Sequence, residues 1–344
     1  MKACVLTDWQ KLEIKEVPTP VPEKDEVLVE VVYGGVCGSD VTVTNHKHLT
    51  ATVPRILCHE ILGRVKEINS DKPLPYKVGD KVCVFPLRYC GECTPCLTGH
   101  TSACSHLQIM GVHIDGAFAE YCKAPTNCII PVPEEIPDQI AALTEPMSVA
   151  FHACARANIQ SGEKVLVIGG GPIGLLAALS ARYFGGQVLL SEIKEERLAL
   201  AKSLNIRTVN PMTDDFEAVT KEFTVGVGFD KVLEVTGSQA GYETMVKAAR
   251  ECATIVLVAI PSVQRAIQPN MFILKELHLL GMRCCPLNEF ARTVTMLSDM
   301  YSKKEEYPLE KMITGELPLE RTAEGIAMQE SGNNNGKILI KIKA

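Results

Sequence analysis

The run Lys164-Val165-Leu166-Val167-Ile168, followed at once by Gly169-Gly170-Gly171-Pro172-Ile173-Gly174, restricts the fold of this 344-residue chain more than any other stretch. Five consecutive residues with an apolar core read as a strand buried on both faces, and Pro172 opens a helix predicted over residues 172–184. Between them lies G-x-G-x-x-G, a weak signal alone in a chain with 25 glycines but a stronger one between a strand and a helix. In that setting backbone N–H groups and the helix N-terminus face an incoming pyrophosphate. Gly169 is expected to make the turn, Gly171 to let the phosphates approach, and Gly174 to let helix and strand pack closely, with Pro172 and Ile173 starting the helix between them.

The same grammar continues. Apolar runs at residues 187–190, 231–235, 254–260 and 277–281, with a weaker one at 206–209, alternate with helical stretches such as 194–204. Short apolar runs alternating with helices predict a doubly wound parallel sheet. The second strand ends at Leu190-Ser191-Glu192, eighteen positions beyond Gly174, where a carboxylate accepts ribose hydroxyls and repels a 2′-phosphate. NAD is therefore expected over NADP, and Arg197, one helical turn on, is the cation that bears on the choice.

Before residue 150 the pattern differs. Glu26-Val27-Leu28-Val29-Glu30-Val31-Val32-Tyr33 and Val78-Gly79-Asp80-Lys81-Val82-Cys83-Val84-Phe85 are β-rich pieces broken by turns. The expected division is a β-rich first domain over 1–150, a nucleotide domain over 151–286, and a tail over 287–344 that is too short to fold alone and returns to the first domain. The tail carries an amphipathic helix over 289–301, a turn at Asn333-Asn334-Asn335 and a last strand over 337–342. A formal charge of −6 leaves no basic footprint for nucleic acid or an anionic membrane. No apolar run approaches the roughly 20 residues of a membrane helix, and the start of the chain lacks a signal-like pattern, so a cytoplasmic protein acting on a small molecule is expected.

Four of the fourteen cysteines fall in Cys90-x2-Cys93-x2-Cys96-x7-Cys104. Thiols so spaced in a reducing compartment read as metal ligands, and four thiolates close a tetrahedron around one Zn²⁺ with no open position. That zinc is structural, holding residues 88–106. An iron–sulfur cluster fits the spacing less well, and free reduced thiols are the other alternative.

A catalytic zinc needs three protein ligands and an exchangeable position, and such ligands lie far apart in sequence. Candidates sit in three turn-like segments: Cys37 in Gly35-Val36-Cys37-Gly38-Ser39-Asp40, His59 and Glu60 in Leu57-Cys58-His59-Glu60, and Glu145 in Leu143-Thr144-Glu145-Pro146-Met147-Ser148. Singly, each is as readily a core thiol, a satisfied imidazole or a surface carboxylate. Together with the four-cysteine loop and the nucleotide motif, and with Tyr76-Lys77-Val78-Gly79-Asp80-Lys81-Val82 and Gly116-Ala117-Phe118-Ala119-Glu120-Tyr121, they resemble the medium-chain zinc alcohol dehydrogenase superfamily, in its polyol dehydrogenase branch. The resemblance runs over essentially the whole chain.

It implies a discontinuous, chaperonin-10-like catalytic domain joined to a Rossmann domain. It also implies a catalytic zinc on Cys37, His59 and either Glu145 or Glu60, with one glutamate bound directly or through water. Such an ion lowers the pKa of a bound alcohol, and the hydride passes to the nicotinamide. Ser39 is the implied first proton acceptor, and a homo-oligomer, dimer or tetramer, is implied as well. Two positions depart from the pattern: Cys58 replaces a glycine, as a small packed residue or an accessory ligand, and Thr42 replaces a histidine of the proton relay, leaving His46 or His48 as substitutes. Gly111-Val112-His113-Ile114-Asp115-Gly116 and Gly281-Met282-Arg283 look most like bacterial sugar-acid dehydrogenases acting on L-galactonate, L-gulonate or L-idonate, with polyols, threonine and simple diols open as alternatives. Arg283 would then pair a substrate carboxylate, bind cofactor or serve structure, with His113 and Arg88 as further candidates. A sensor that keeps the fold and binds NAD without chemistry would rest on Cys58, Thr42 and the vicinal Cys284-Cys285.

Overall fold

In the computed structural model, which describes residues 1–261, 263–332 and 334–343, the apolar runs between residues 164 and 281 pair as one six-stranded sheet. Its order is Arg207–Val209, Gln187–Ser191, Lys164–Ile168, Phe229–Glu234, Ala249–Leu257, His278–Gly281, with every neighbouring pair parallel. The central strands bury both faces: Leu166, Val167, Leu189, Leu190, Val232, Leu233, Ile255 and Val256 are all fully buried. That is why they lack the alternation of a half-exposed strand. The chain order reverses between Lys164–Ile168 and Phe229–Glu234, which opens a crevice at their carboxyl ends where ligands of such sheets bind.

The chain divides into two compact units, one of Met1–Glu145, Pro286–Asp299 and Ile313–Ala344, the other of Pro146–Cys285 and Met300–Met312. Residues 300–312 thus belong to the second unit, although 287–344 reads as returning to the first. Side chains explain this. Asn205 Nδ2 donates to the carbonyls of Glu305 and Glu306 at 2.9 and 3.3 Å, and Lys311 Nζ donates to the Ser203 carbonyl at 3.0 Å. The Arg182 guanidinium also lies 5.1 Å from the centre of the Tyr307 ring.

The first unit is built on a seven-stranded sheet. Its path runs Ile129–Pro131, Lys81–Val84, Glu60–Asn69, Glu26–Gly35, Lys337–Lys341, Ile313–Pro318, with Tyr121–Pro125 also on Glu26–Gly35. The tail's last strand lies antiparallel to Glu26–Gly35 with Leu339 opposite Gly35, and Gly35 in turn faces Glu60. This register brings the ends of three strands, distant in sequence, to one place. The helix Leu287–Ser302 is anchored in this unit by Phe290, whose ring meets Phe85 edge-on at 5.4 Å. The turn expected at Asn333-Asn334-Asn335 includes Asn333, which lies outside the described residues. Among the described residues no helix is long and apolar enough to cross a membrane.

Candidate functional site

Cys37 ends the loop after the strand Glu26–Gly35 and caps the helix Gly38–Thr44. His59 and Glu60 open the neighbouring strand. Ligand atoms of Cys37, His59 and Glu60 all lie within 4.8 Å of one another. Gly35 makes room for the third: a Cβ there would stand 2.0 Å from Glu60 Oε2. Asp40 ties the two loops together, accepting the Cys37 N–H at 2.8 Å on one oxygen and the Cys58 N–H at 3.3 Å on the other. From the tail, buried Lys337 reaches in, donating to the Val36 carbonyl at 2.8 Å and lying 2.6 Å from the Glu60 carboxylate.

The charges are out of balance without a cation. Burial alone would lower the His59 pKa, yet Cys37, Glu145 and Asp40 hold it well above its ordinary value. Asp40 is raised by burial, and Glu145 is pushed up to about 7, chiefly by burial and further by Glu60 and Asp40 against His59 and Lys337. Burial opposes the charge on Lys337, but Glu60 and Cys37 keep its pKa above normal. One thiol and three carboxyl groups therefore crowd a single buried ammonium and an imidazole. His59 Nδ1 is buried and has no hydrogen-bond partner among the described residues, the mark of a group that expects an ion or water. This donor set fits Zn²⁺, since thiolate, imidazole and carboxylate are its usual ligands and the excess negative charge is what a divalent ion offsets.

Other expected residues fall into place around this group. Glu145, half-buried in the first turn of the helix Thr144–Ala157, is not among the three that converge; the carboxylate grouped with Cys37 and His59 is that of Glu60. Ser39 Oγ lies 3.4 Å from His59 Nε2. The Cys58 thiol donates to the carbonyls of Glu60 and Gly35 at 3.4 and 3.8 Å and is not among the three grouped ligands. Its φ of 86° shows why glycine suits that position. Thr42 bonds back to the Gly38 carbonyl at 3.0 Å, and His46 stacks on Trp9 at 4.0 Å. Arg88 pairs with Glu26 at 3.6 Å, a structural use. Arg283 is exposed just beyond the strand His278–Gly281. Asp40 and Lys337 were not singled out in the sequence; Asp40 sits three residues after Cys37 in a capping spacing, whereas nothing local marks Lys337.

Cys90, Cys93, Cys96 and Cys104 form the second group. Their sulfur separations of 3.4, 3.5, 3.8 and 4.0 Å bracket the edge of about 3.8 Å expected for a tetrahedron with Zn–S of about 2.3 Å. N–H groups of Ser105 and Cys96 bring the Cys93 thiol down to about 6, while burial and the neighbouring sulfurs push Cys96 up to about 12. Four sulfurs this close become thiolates together only around a cation, and these fit a structural Zn²⁺.

In the second unit, a cleft of about 500 Å³ is lined by the glycine-rich turn, Glu192, Arg197, Thr236 and Ser238. Glu192 is fixed there by N–H groups of Gly170, Ile193 and Lys194 at 2.7, 2.7 and 2.9 Å, with Arg197 at 3.6 Å. Gly169 has a φ of 106°, and a Cβ on Gly171 would meet only the Arg197 guanidinium, at 3.7 Å, so the space above it is open for a ligand. The helix Pro172–Tyr183 begins at that point. A dinucleotide pyrophosphate fits this cradle. A Cβ on Gly174 would stand 1.9 Å from the Gly169 carbonyl oxygen. Gly174→Ala is accordingly expected to displace the turn, costing about 1–3 kcal/mol in stability and weakening NAD affinity, read by thermal melting and fluorescence titration.

Comparison with known proteins identifies the family. Residues 23–134 match the alcohol dehydrogenase GroES-like domain, and residues 172–299 match the zinc-binding dehydrogenase family. An uncharacterised zinc-type alcohol dehydrogenase-like protein of Haemophilus influenzae is 37% identical over 87% of both chains. The L-galactonate-5-dehydrogenase of Escherichia coli is 32% identical over 85% of this chain and 84% of its own length. The crystal structure of galactitol-1-phosphate dehydrogenase from Escherichia coli superposes with a TM-score of 0.90 at 27% identity, covering 99% of this chain and 100% of that one. The chain belongs to the medium-chain zinc alcohol dehydrogenase superfamily, in its polyol and sugar-acid branch, and is an oxidoreductase acting on CH–OH groups.

Proposed function

We propose that this enzyme oxidises a secondary alcohol of a sugar acid or polyol to the ketone with NAD. The observation that carries the reading is the convergence of Cys37, His59 and Glu60 within 4.8 Å, in a chain that also holds a nucleotide cleft. Cys37, His59 and Glu60 would hold the catalytic zinc, with Glu145 as the second carboxylate available to it. A zinc ion there would supply Lewis acidity to the substrate hydroxyl, and a dinucleotide in the cleft would supply the hydride acceptor. Ser39, whose Oγ lies 3.4 Å from His59 Nε2, would take the hydroxyl proton as a relay, passing its own proton on to solvent as it accepts that of the substrate. Asp40 keeps the two ligand loops in register through the Cys37 and Cys58 N–H groups. The pyrophosphate sits against Gly171 and the helix N-terminus opened by Pro172 and Ile173, in the turn that Gly169 and Gly174 shape, and Glu192 takes the ribose hydroxyls, which supports NAD over NADP.

The polyhydroxylated substrates named for the L-galactonate and galactitol-1-phosphate enzymes support the substrate class. A panel of aldonates, polyols, diols and threonine, each with NAD and NADP and followed at the nicotinamide absorbance, tests both assignments. Turnover of an aldonate or polyol with NAD is expected. Turnover of threonine or a simple diol alone would move the enzyme elsewhere in its family, and NAD binding without turnover of any alcohol would leave a sensor. Reduced zinc thiolates suit a cytoplasmic location. The open edge of the strand His278–Gly281, together with exposed Ile260, Ile273, Leu274 and Leu279, supports self-association through paired edges. Light scattering that finds only monomer would remove that assignment.

A further inference from the structure

We propose that Asn335 is a self-modification site: its side chain closes on the Gly336 nitrogen, and the chain leaves the reaction carrying an aspartyl or isoaspartyl residue just ahead of Lys337. The proposal stands apart from the dehydrogenase reading. Asn335 is the one asparagine of the sequence followed by glycine, and it lies in the link between the helix Thr322–Glu330 and the strand Lys337–Lys341. Glycine has no Cβ to shield its backbone nitrogen, so the preceding side-chain carbonyl carbon is within reach. Hydrogen bonds decide which asparagine can react. Asn334 is pinned, its Oδ1 accepting from Thr314 Oγ1 at 2.7 Å and its Nδ2 donating to the Gln329 side chain at 3.2 Å and to the Gly336 carbonyl at 2.6 Å. The amides of Asn45, Asn205 and Asn210 are held as well, by Glu330 at 2.6 Å, the Glu305 carbonyl at 2.9 Å and Glu195 at 2.7 Å. Asn335 is half-buried, and neither its amide nor the Gly336 N–H has a hydrogen-bond partner among the described residues.

The reaction needs only water. The Gly336 nitrogen attacks Cγ of Asn335; the N–Cγ bond forms, the Cγ–Nδ2 bond breaks, and Nδ2 departs as ammonia with the proton that the Gly336 nitrogen gives up. Water then opens the cyclic imide. Cleavage between the ring nitrogen and Cγ yields aspartate, whereas cleavage between that nitrogen and the Asn335 main-chain carbonyl carbon yields isoaspartate, in which the main chain runs through Cγ. Nothing is oxidised or reduced. Either product puts a carboxylate where a neutral amide stood, and the isoaspartyl form adds a methylene to the main chain at the entry of the strand. Lys337, the second residue on, is placed by that strand: it stands opposite Ile313, and its Nζ donates to the Val36 carbonyl at 2.8 Å and lies 2.6 Å from the Glu60 carboxylate. A longer link disturbs this register and draws the ammonium off its two acceptors. Modification at 335 therefore loosens the buried Lys337–Glu60 pair, whose members offset each other's burial only while they stay in contact.

The test holds the zinc-loaded full chain, unsubstituted and as Asn335→Gln, in warm, mildly alkaline buffer, after thermal melting of the fresh proteins confirms folding. Glutamine keeps the amide but sets it one methylene farther from the backbone nitrogen, which disfavours ring closure. Mass spectrometry of tryptic peptide 322–337 follows the replacement of –NH2 by –OH, and fragment ions place it. In the unsubstituted protein it is expected at 335, at a rate within about 10-fold of that of the urea-unfolded chain, because two groups without hydrogen-bond partners come together at little cost. Asn335→Gln should show none there. Modification confined to the unfolded chain, or found at Asn333, Asn334 or Gln329 instead, overturns the proposal, and so does its absence from both samples. Fragment ions from the unsubstituted chain give this answer even where Asn335→Gln fails to fold. Once the zinc is removed, the aged unsubstituted protein should melt about 5 °C below the fresh protein, and aged Asn335→Gln should not. An equal midpoint in a sample mostly converted at 335 overturns the coupling to Lys337.

Discussion

Cys37→Ala is expected to lower kcat/KM by about three orders of magnitude or more while leaving the protein folded and one zinc ion in place. The magnitude follows from what a Lewis acid contributes, several kcal/mol of transition-state stabilisation, at about 1.4 kcal/mol for each factor of ten. Cys37 supplies the only thiol among the three groups that converge within 4.8 Å. Its loss leaves His59 and Glu60 to hold the ion, with Glu60 already engaged by Lys337 at 2.6 Å. The four-cysteine group is assembled from residues 90–104 alone, so it should keep its metal. Metal analysis should accordingly fall from two zinc ions per chain to one, with far-ultraviolet circular dichroism unchanged. Full turnover by the variant would falsify the assignment of the catalytic ion to this group. Loss of both ions would instead mean that the two sites are not independent.

How far the sequence carries depends on whether the determinants are local. The six strands of the parallel sheet were legible because each is a short apolar run buried on both faces, and their positions agree with the predicted ones to within a few residues. The largest discrepancy is Ala249–Leu257, which starts five residues before the predicted 254. There Arg250, Glu251 and Cys252 are polar or exposed, and Cys252 has a φ of 56°. Local spacing likewise exposed the four cysteines. Ile313–Pro318 was not anticipated, because its side chains are mostly exposed or half-buried and it pairs along one edge only. The allegiance of residues 300–312 depends on Asn205, Ser203 and Arg182, about a hundred or more positions away. No pattern announces that Cys58 occupies a left-handed backbone position with its thiol on the Glu60 carbonyl.

The hardest feature to read was Lys337, 277 positions from its partner Glu60, and it carries the second large prediction. Both side chains are almost wholly buried, at 4% and 1% exposed. Removing one member of such a pair leaves an uncompensated charge in a medium that solvates it poorly, a cost of about 3–5 kcal/mol. Lys337→Met, similar in volume, should therefore lower the unfolding midpoint of the first unit by roughly 10 °C in metal-free protein. With zinc bound the drop should be smaller, because the ion takes over part of the task of balancing Glu60. The double variant Lys337→Met with Glu60→Gln should recover much of the loss, since neither charge then remains unpaired. Scanning calorimetry of the metal-free and zinc-loaded forms measures all three quantities. Equal destabilisation with and without zinc, and no recovery in the double variant, would reduce Lys337 to a packing residue at the Val36 carbonyl. A zinc-dependent difference would instead make it the counter-charge that keeps the carboxylate in place until the metal arrives.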